Sequence, residues 1–142
     1  MIKATCTVLL CMLLFTSCDD IKEFRNTPEQ KAEINKFMGD FYNQLVNQEY
    51  EKSLSSIDLK SVSKDEVLRK YHVTDSVLGK LISYKQSDIE AYSKMQNDKT
   101  ITYEVKVSYN VNYDKGKAVD NIELSKINDS LKITYYNTKI SL

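Results

Sequence analysis

The chain has 142 residues, with 20 Lys and Arg against 20 Asp and Glu and no formal net charge. That balance sets up no strong field for nucleic acid or for an anionic membrane face. Three isolated glycines give no phosphate-cradling loop or dinucleotide-binding turn, and a single histidine, His72, supports no His-rich metal site or Ser-His-Asp arrangement without distant partners.

At the amino terminus Lys3 supplies a positive charge, Ala4 to Phe15 carry none, and Thr16, Ser17 and Cys18 follow. This is the layout of a secretory signal peptide. A spanning helix needs roughly 20 apolar residues, so the segment is too short to cross a bilayer. Leu14-Phe15-Thr16-Ser17-Cys18 resembles the lipobox of bacterial lipoproteins. The resemblance implies that residues 1–17 are the signal, that cleavage falls after Ser17, and that Cys18 is lipidated on sulfur and acylated at its new amino terminus. The alternative is an ordinary secreted protein with a chance cysteine. Each buried CH2 of an acyl chain contributes about 0.8 kcal/mol, and two or more chains hold a protein on a bilayer where one does not. The implied first partner is therefore a membrane, reached through acyl chains on Cys18. Residues just after the cysteine act as a sorting signal in lipoproteins of Gram-negative bacteria. Asp19 and Asp20 accordingly point to the outer membrane, on its periplasmic face or at the cell surface, or else form a solvated tether.

Cleavage removes Cys6 and Cys11 with the signal, and lipidation consumes Cys18. No thiol then remains for a disulfide, a thiolate metal site or a cysteine nucleophile. Cys18 to Leu142 is 125 residues with 19 basic and 20 acidic side chains, net −1, a size that suits one domain with one core.

Residues 18–26 read as the lipidated cysteine and a polar tether, and 27–142 as a single domain. Thr27-Pro28-Glu29-Gln30 is a helix start, with an N-cap, a proline at the first helical position and a capping-box glutamine. Ile34, Phe37, Met38, Phe41, Tyr42 and Leu45 then recur at helical steps and predict one buried stripe on a helix running to about Tyr50. Gly39 costs that helix ~1 kcal/mol relative to alanine. Ser53 to Val62 reads as a loop. A second capping box at Ser63-Lys64-Asp65-Glu66 opens a shorter helix with Val67, Leu68, Tyr71 and Leu78 inward and Gly79 as its C-terminal cap.

From Leu81 the period changes to two. Ile101, Tyr103, Val105, Val107, Tyr109, Val111 and Tyr113 alternate with polar residues and predict a strand with a dry and a wet face, roughly 43 Å long. Turns at Asn97-Asp98, Asp114-Lys115-Gly116-Lys117 and Asn128-Asp129-Ser130 separate it from strands at Leu81–Ser93, Ala118–Ile127 and Leu131–Ile140. Helices followed by strands predict an α+β domain, a long helix and a shorter one packed on a curved four-stranded antiparallel meander.

This order, with Gln48-Glu49-Tyr50-Glu51-Lys52-Ser53-Leu54 after the long helix and Leu78-Gly79-Lys80-Leu81 before the sheet, resembles small bacterial lipoproteins of the cystatin-like or nuclear transport factor 2-like superfamily. The likeness covers about residues 27–142 and implies a cone-shaped fold. The superfamily holds enzymes, binding modules and members of unknown role, so it gives no function.

Candidate sites are few. His72 reads as a boundary histidine, Asp65 and Glu66 as helix-start charge, and Asp88 and Glu90 as one solvated face of a strand. Ten tyrosines are the compositional excess; Tyr103, Tyr109 and Tyr113 read as core and cavity wall, or as the lining of a pocket for a small hydrophobic ligand. Ser76 and Ser130 follow aspartate and precede an apolar residue, a pattern resembling O-glycosylation acceptors of exported bacterial proteins, and Asn128 heads an Asn-x-Ser sequon. The sequence-based expectation is a lipid-anchored, non-catalytic binding or accessory module without cofactor or metal, its partner an envelope protein. A small-ligand carrier or cone-fold enzyme and a structural component of a surface assembly are the rivals.

Overall fold

The computed structural model describes residues 20–141. The expected signal peptide, its expected cleavage point after Ser17 and the expected lipid site Cys18 lie outside the described residues. Within them the chain folds as β1 (Ile21–Arg25), α1 (Pro28–Val46), α2 (Tyr50–Ser53), a 3-10 turn (Leu54–Ser56), α3 (Lys64–Leu78), β2 (Leu81–Gln96), β3 (Lys99–Tyr113), β4 (Gly116–Ile127) and β5 (Ser130–Ser141). All neighbours are antiparallel, in the order β1-β2-β3-β4-β5. The result is an α+β domain with an open sheet.

The start of α1 follows the sequence signal. Thr27 accepts from the Gln30 amide, Gln30 Oε1 accepts from the Thr27 amide at 2.8 Å, and Pro28 opens the helix. The stripe of α1 buries Ile34, Met38, Phe41, Tyr42 and Leu45. It shares one core with Val105, Val107, Tyr109 and Val111 of β3, Ile122 and Leu124 of β4, Ile133 and Tyr136 of β5, and Val67, Tyr71 and Leu78 of α3. Two of the three two-residue hairpin turns carry consecutive residues with positive φ, Asn97-Asp98 and Asn128-Asp129, which matches the twist of the strands they join. Gly79 at φ 78° ends α3, and a Cβ there would meet Asp114 Oδ1 at 1.5 Å.

Four expectations need correction. The sheet has five strands instead of four, because Ile21–Arg25, read as tether, pairs with Tyr92–Gln96. All five residues are exposed, so β1 buries no face and leaves no periodic signal; its ladder is extended where the Asn26 amide donates to Ala91 O and Asn26 Oδ1 accepts from the Ala91 amide. Helix α1 stops at Val46, short of Tyr50, where Gln48 turns to φ 57°. Ser63 sits at the start of α3 without a side-chain capping bond, so its capping box does not form. Ile101, expected on the dry face, is 52% exposed, because β3 begins beyond the reach of the helices.

A buried carboxylate among tyrosines

The sheet carries one charged side chain into the core. Asp120 alternates with Ala118, Ile122 and Leu124 on the inner face of β4 and is wholly buried. It lies opposite Tyr109 on β3 and Thr138 on β5. Asp120 Oδ2 accepts from Tyr42 Oη at 2.9 Å and from Tyr136 Oη at 3.2 Å, and Oδ1 accepts from Thr138 Oγ1 at 2.6 Å. One donor thus comes from α1 and two from β5, tying the helix layer to the far side of the sheet.

Burial pushes the Asp120 carboxyl above its ordinary range, while the bonds from Thr138, Tyr42 and Tyr136 and the charge of Lys70 pull the other way. Burial, with the neighbouring carboxylate, also holds the Tyr42 and Tyr136 hydroxyls well above theirs. Both tyrosines therefore keep their protons and act as donors. A carboxylate offers about four lone-pair sites, and three are filled here by groups from two elements of the fold. The network is satisfied and sealed from solvent, which rigidifies a core.

Beside it lies a cavity of about 20 Å³, bounded by Leu45, Lys70, Tyr71, Tyr113, Tyr136 and Thr138 among others. That volume suits one water molecule and no larger guest. Lys70 Nζ donates to Tyr136 O at 2.6 Å at its edge, and Tyr50 Oη donates to Asp75 Oδ2.

The three tyrosines singled out in the sequence do not converge. Tyr113 lines this cavity. Tyr109 packs against Tyr42 and Tyr84, ring centroids 4.7 and 6.1 Å away, and burial pushes its hydroxyl up to about 12. Tyr103 donates to Glu33 Oε2 at 3.0 Å and lies under Lys126 Nζ, 4.4 Å from the ring centre, while Lys126 pairs with Glu33 at 2.9 Å. His72 is exposed, edge-on to Tyr50. Asp65 and Glu66 stand in the first turn of α3. Asp88 accepts from the adjacent Ile89 amide at 2.9 Å, and Glu90 lies opposite Lys106. Ser76 donates to Val73 O at 2.8 Å and Ser130 begins β5, both exposed. Among the described residues no group of three or more His, Cys, Asp and Glu could hold a metal ion, and no helix is long and apolar enough to cross a membrane.

Asp120 is the residue that sequence reasoning passed over. Its signal was present, since the alternation of Ala118, Ile122 and Leu124 places it on the dry face. Comparison of the chain with protein-family models, with curated proteins and with solved structures finds no match.

Proposed function

We propose that this protein is a lipid-anchored envelope module that works by surface binding, without carrying a guest in its interior. The anchor rests on Leu14-Phe15-Thr16-Ser17-Cys18 after an uncharged run, with Asp19 and Asp20 directing it to the outer membrane. The observation that carries the surface-binding reading is where the space lies: the cavity beside the hydrogen-bonded Asp120 holds about 20 Å³, whereas a larger hollow, of about 570 Å³ between Arg25, Glu90, Tyr92, Glu104 and Lys106, lies among mostly exposed polar side chains. A long helix laid across a single antiparallel meander supports the cystatin-like or nuclear transport factor 2-like likeness, which bears on fold alone.

Mass spectrometry of the protein purified from its native membrane tests both halves. Under denaturing conditions the expected mass is a chain beginning at Cys18 with a diacylglyceryl group, lost in Cys18→Ala. Under native conditions the folded protein should carry no apolar small molecule, and a bound one would favour the carrier. The surface-assembly rival has one observation in its favour. β1 covers Tyr92–Gln96 of β2, so among the described residues Leu81–Glu90 has a strand partner on one side and an open edge on the other, the geometry that accepts an added strand.

A further inference from the structure

The sheet is longer at one end than the layer that covers it. Residues 99–103 of β3 pair with β2, and the β3–β4 ladder begins at Glu104 and Ser125. The amino-terminal turn of α1 reaches the sheet at Ser93, where Gln30 Nε2 donates to Ser93 Oγ at 2.9 Å. From that row outward β1 and the β2–β3 hairpin project together, and they expose large apolar side chains: Phe24 at 36% on the Ser93 row itself, then Ile21 at 50% and Ile101 at 52%, with Met95 half-buried.

The chain leaves the domain from this same end. Ile21 lies opposite Gln96, next to the Asn97-Asp98 turn, and Asp19 and Asp20 alone separate it from Cys18. Three steps of chain reach at most about 11 Å, whereas 18–26 as a free tether would reach about 30 Å. Folding β1 into the sheet thus shortens the leash. We infer that this projecting end is seated on the bilayer that holds Cys18, with Ile21, Phe24 and Ile101 in the lipid interface. The inference rests on the lipid-anchor reading above.

Two considerations select lipid over a protein partner. A leash of about 11 Å, little more than the width of one helix, keeps this end close against the headgroups, so the bilayer is the one surface always within its reach. The chemistry is also that of an interfacial edge: apolar side chains buried about 5–10 Å into the headgroup and acyl boundary, flanked by Lys22, Lys94 and Lys99, whose stems let the ammonium stay wet. Lys22 is already balanced by Asp20 at 2.9 Å and Asp98 at 3.4 Å, so the seat needs no anionic lipid. The Asp114-Lys115 turn, at the other end of β3, then points away from the membrane.

The test uses the full, processed lipoprotein in vesicles of phosphatidylethanolamine and phosphatidylglycerol. Ile101→Cys and Lys115→Cys, both at exposed positions, are each labelled with a polarity-sensitive fluorophore, and vesicles are made with and without headgroup spin-labelled lipid. Intact mass is read first. With the diacylglyceryl mass present, the expected result is a blue shift and loss of fluorescence to spin-labelled lipid at position 101, and neither at 115. Lipidated protein showing no quenching at 101, or equal quenching at both, overturns the seat and leaves the anchor standing. A blue shift at 101 without lipid quenching assigns the patch to a contact with a second copy of this chain and also overturns it. Protein without lipid on Cys18 overturns the anchor and the seat together.

Discussion

Burial holds the Asp120 carboxyl above its ordinary range, so there is a span of pH in which the unfolded chain has released a proton that the folded chain retains. Below the ordinary carboxyl value both states are protonated and the shift has no effect. As pH rises from about 4, the unfolded state ionises first and stability falls, until the folded carboxyl ionises and the penalty becomes constant. Asp120→Asn removes this group from the titration. In urea unfolding from about pH 4 to about pH 7, the stability of the variant relative to the parent should therefore shift in favour of the variant as pH rises. A shift in favour of the parent would mean that the three hydroxyl bonds outweigh burial. Tyr42→Phe leaves the carboxylate with two donors and should cost about 1–3 kcal/mol at neutral pH, the penalty of an unmade bond to a buried charge, read as a lower urea midpoint with unchanged slope. The site was half legible in the sequence. Alternation along β4 places Asp120 inward, but its donors lie 78 residues before it and 16 and 18 after it. Such partners are set by topology, and an isolated aspartate within a strand otherwise reads as a solvated position.

Helix α1 shows what local chemistry can fix. Its capping box is formed on both sides, so Thr27→Ala should lower stability by about 1 kcal/mol, and differential scanning calorimetry would register it as a lower Tm. Gly39 lies inside the helix, and a Cβ there would meet nothing within 4 Å. Gly39→Ala should then raise stability by about 1 kcal/mol, since it removes the conformational cost of glycine in a helix interior. A loss would show that the backbone at this turn cannot accept a side chain. Most of the element plan was readable for the same reason. The stripe of α1, the alternation of β3, the turns at Asn97-Asp98 and Asn128-Asp129 and the Gly79 cap all depend on neighbours in sequence. What escaped depends on distant contacts: β1 exists because Tyr92–Gln96 offers it a ladder, and five residues exposed on both faces carry no hydrophobic period to read.

At the scale of the molecule, that small strand has an effect out of proportion to its burial. It adds no fully buried side chain to the core, yet it takes up most of the chain between the domain and Cys18 and so, with the proposed anchor at Cys18, fixes how far the domain can stand from the membrane. Replacing Ile21–Arg25 by five Gly and Ser residues should separate these roles. The core under α1, with Ile34, Met38, Phe41 and Tyr42 fully buried, does not depend on β1, so the Tm should change little, while amide exchange should quicken along Tyr92–Gln96, whose outer ladder is lost. The leash would then behave as a flexible coil with a root-mean-square reach of about 16 Å for nine residues, and the hairpin would no longer be held to the headgroups. Lipid quenching at a labelled Ile101→Cys should fall even though the diacylglyceryl mass on Cys18 is unchanged. If quenching persists undiminished, the exposed side chains of the hairpin hold the interface by themselves and the short leash is not what orients the domain. If the whole fold is lost, β1 belongs to the core in a way its exposure does not reveal.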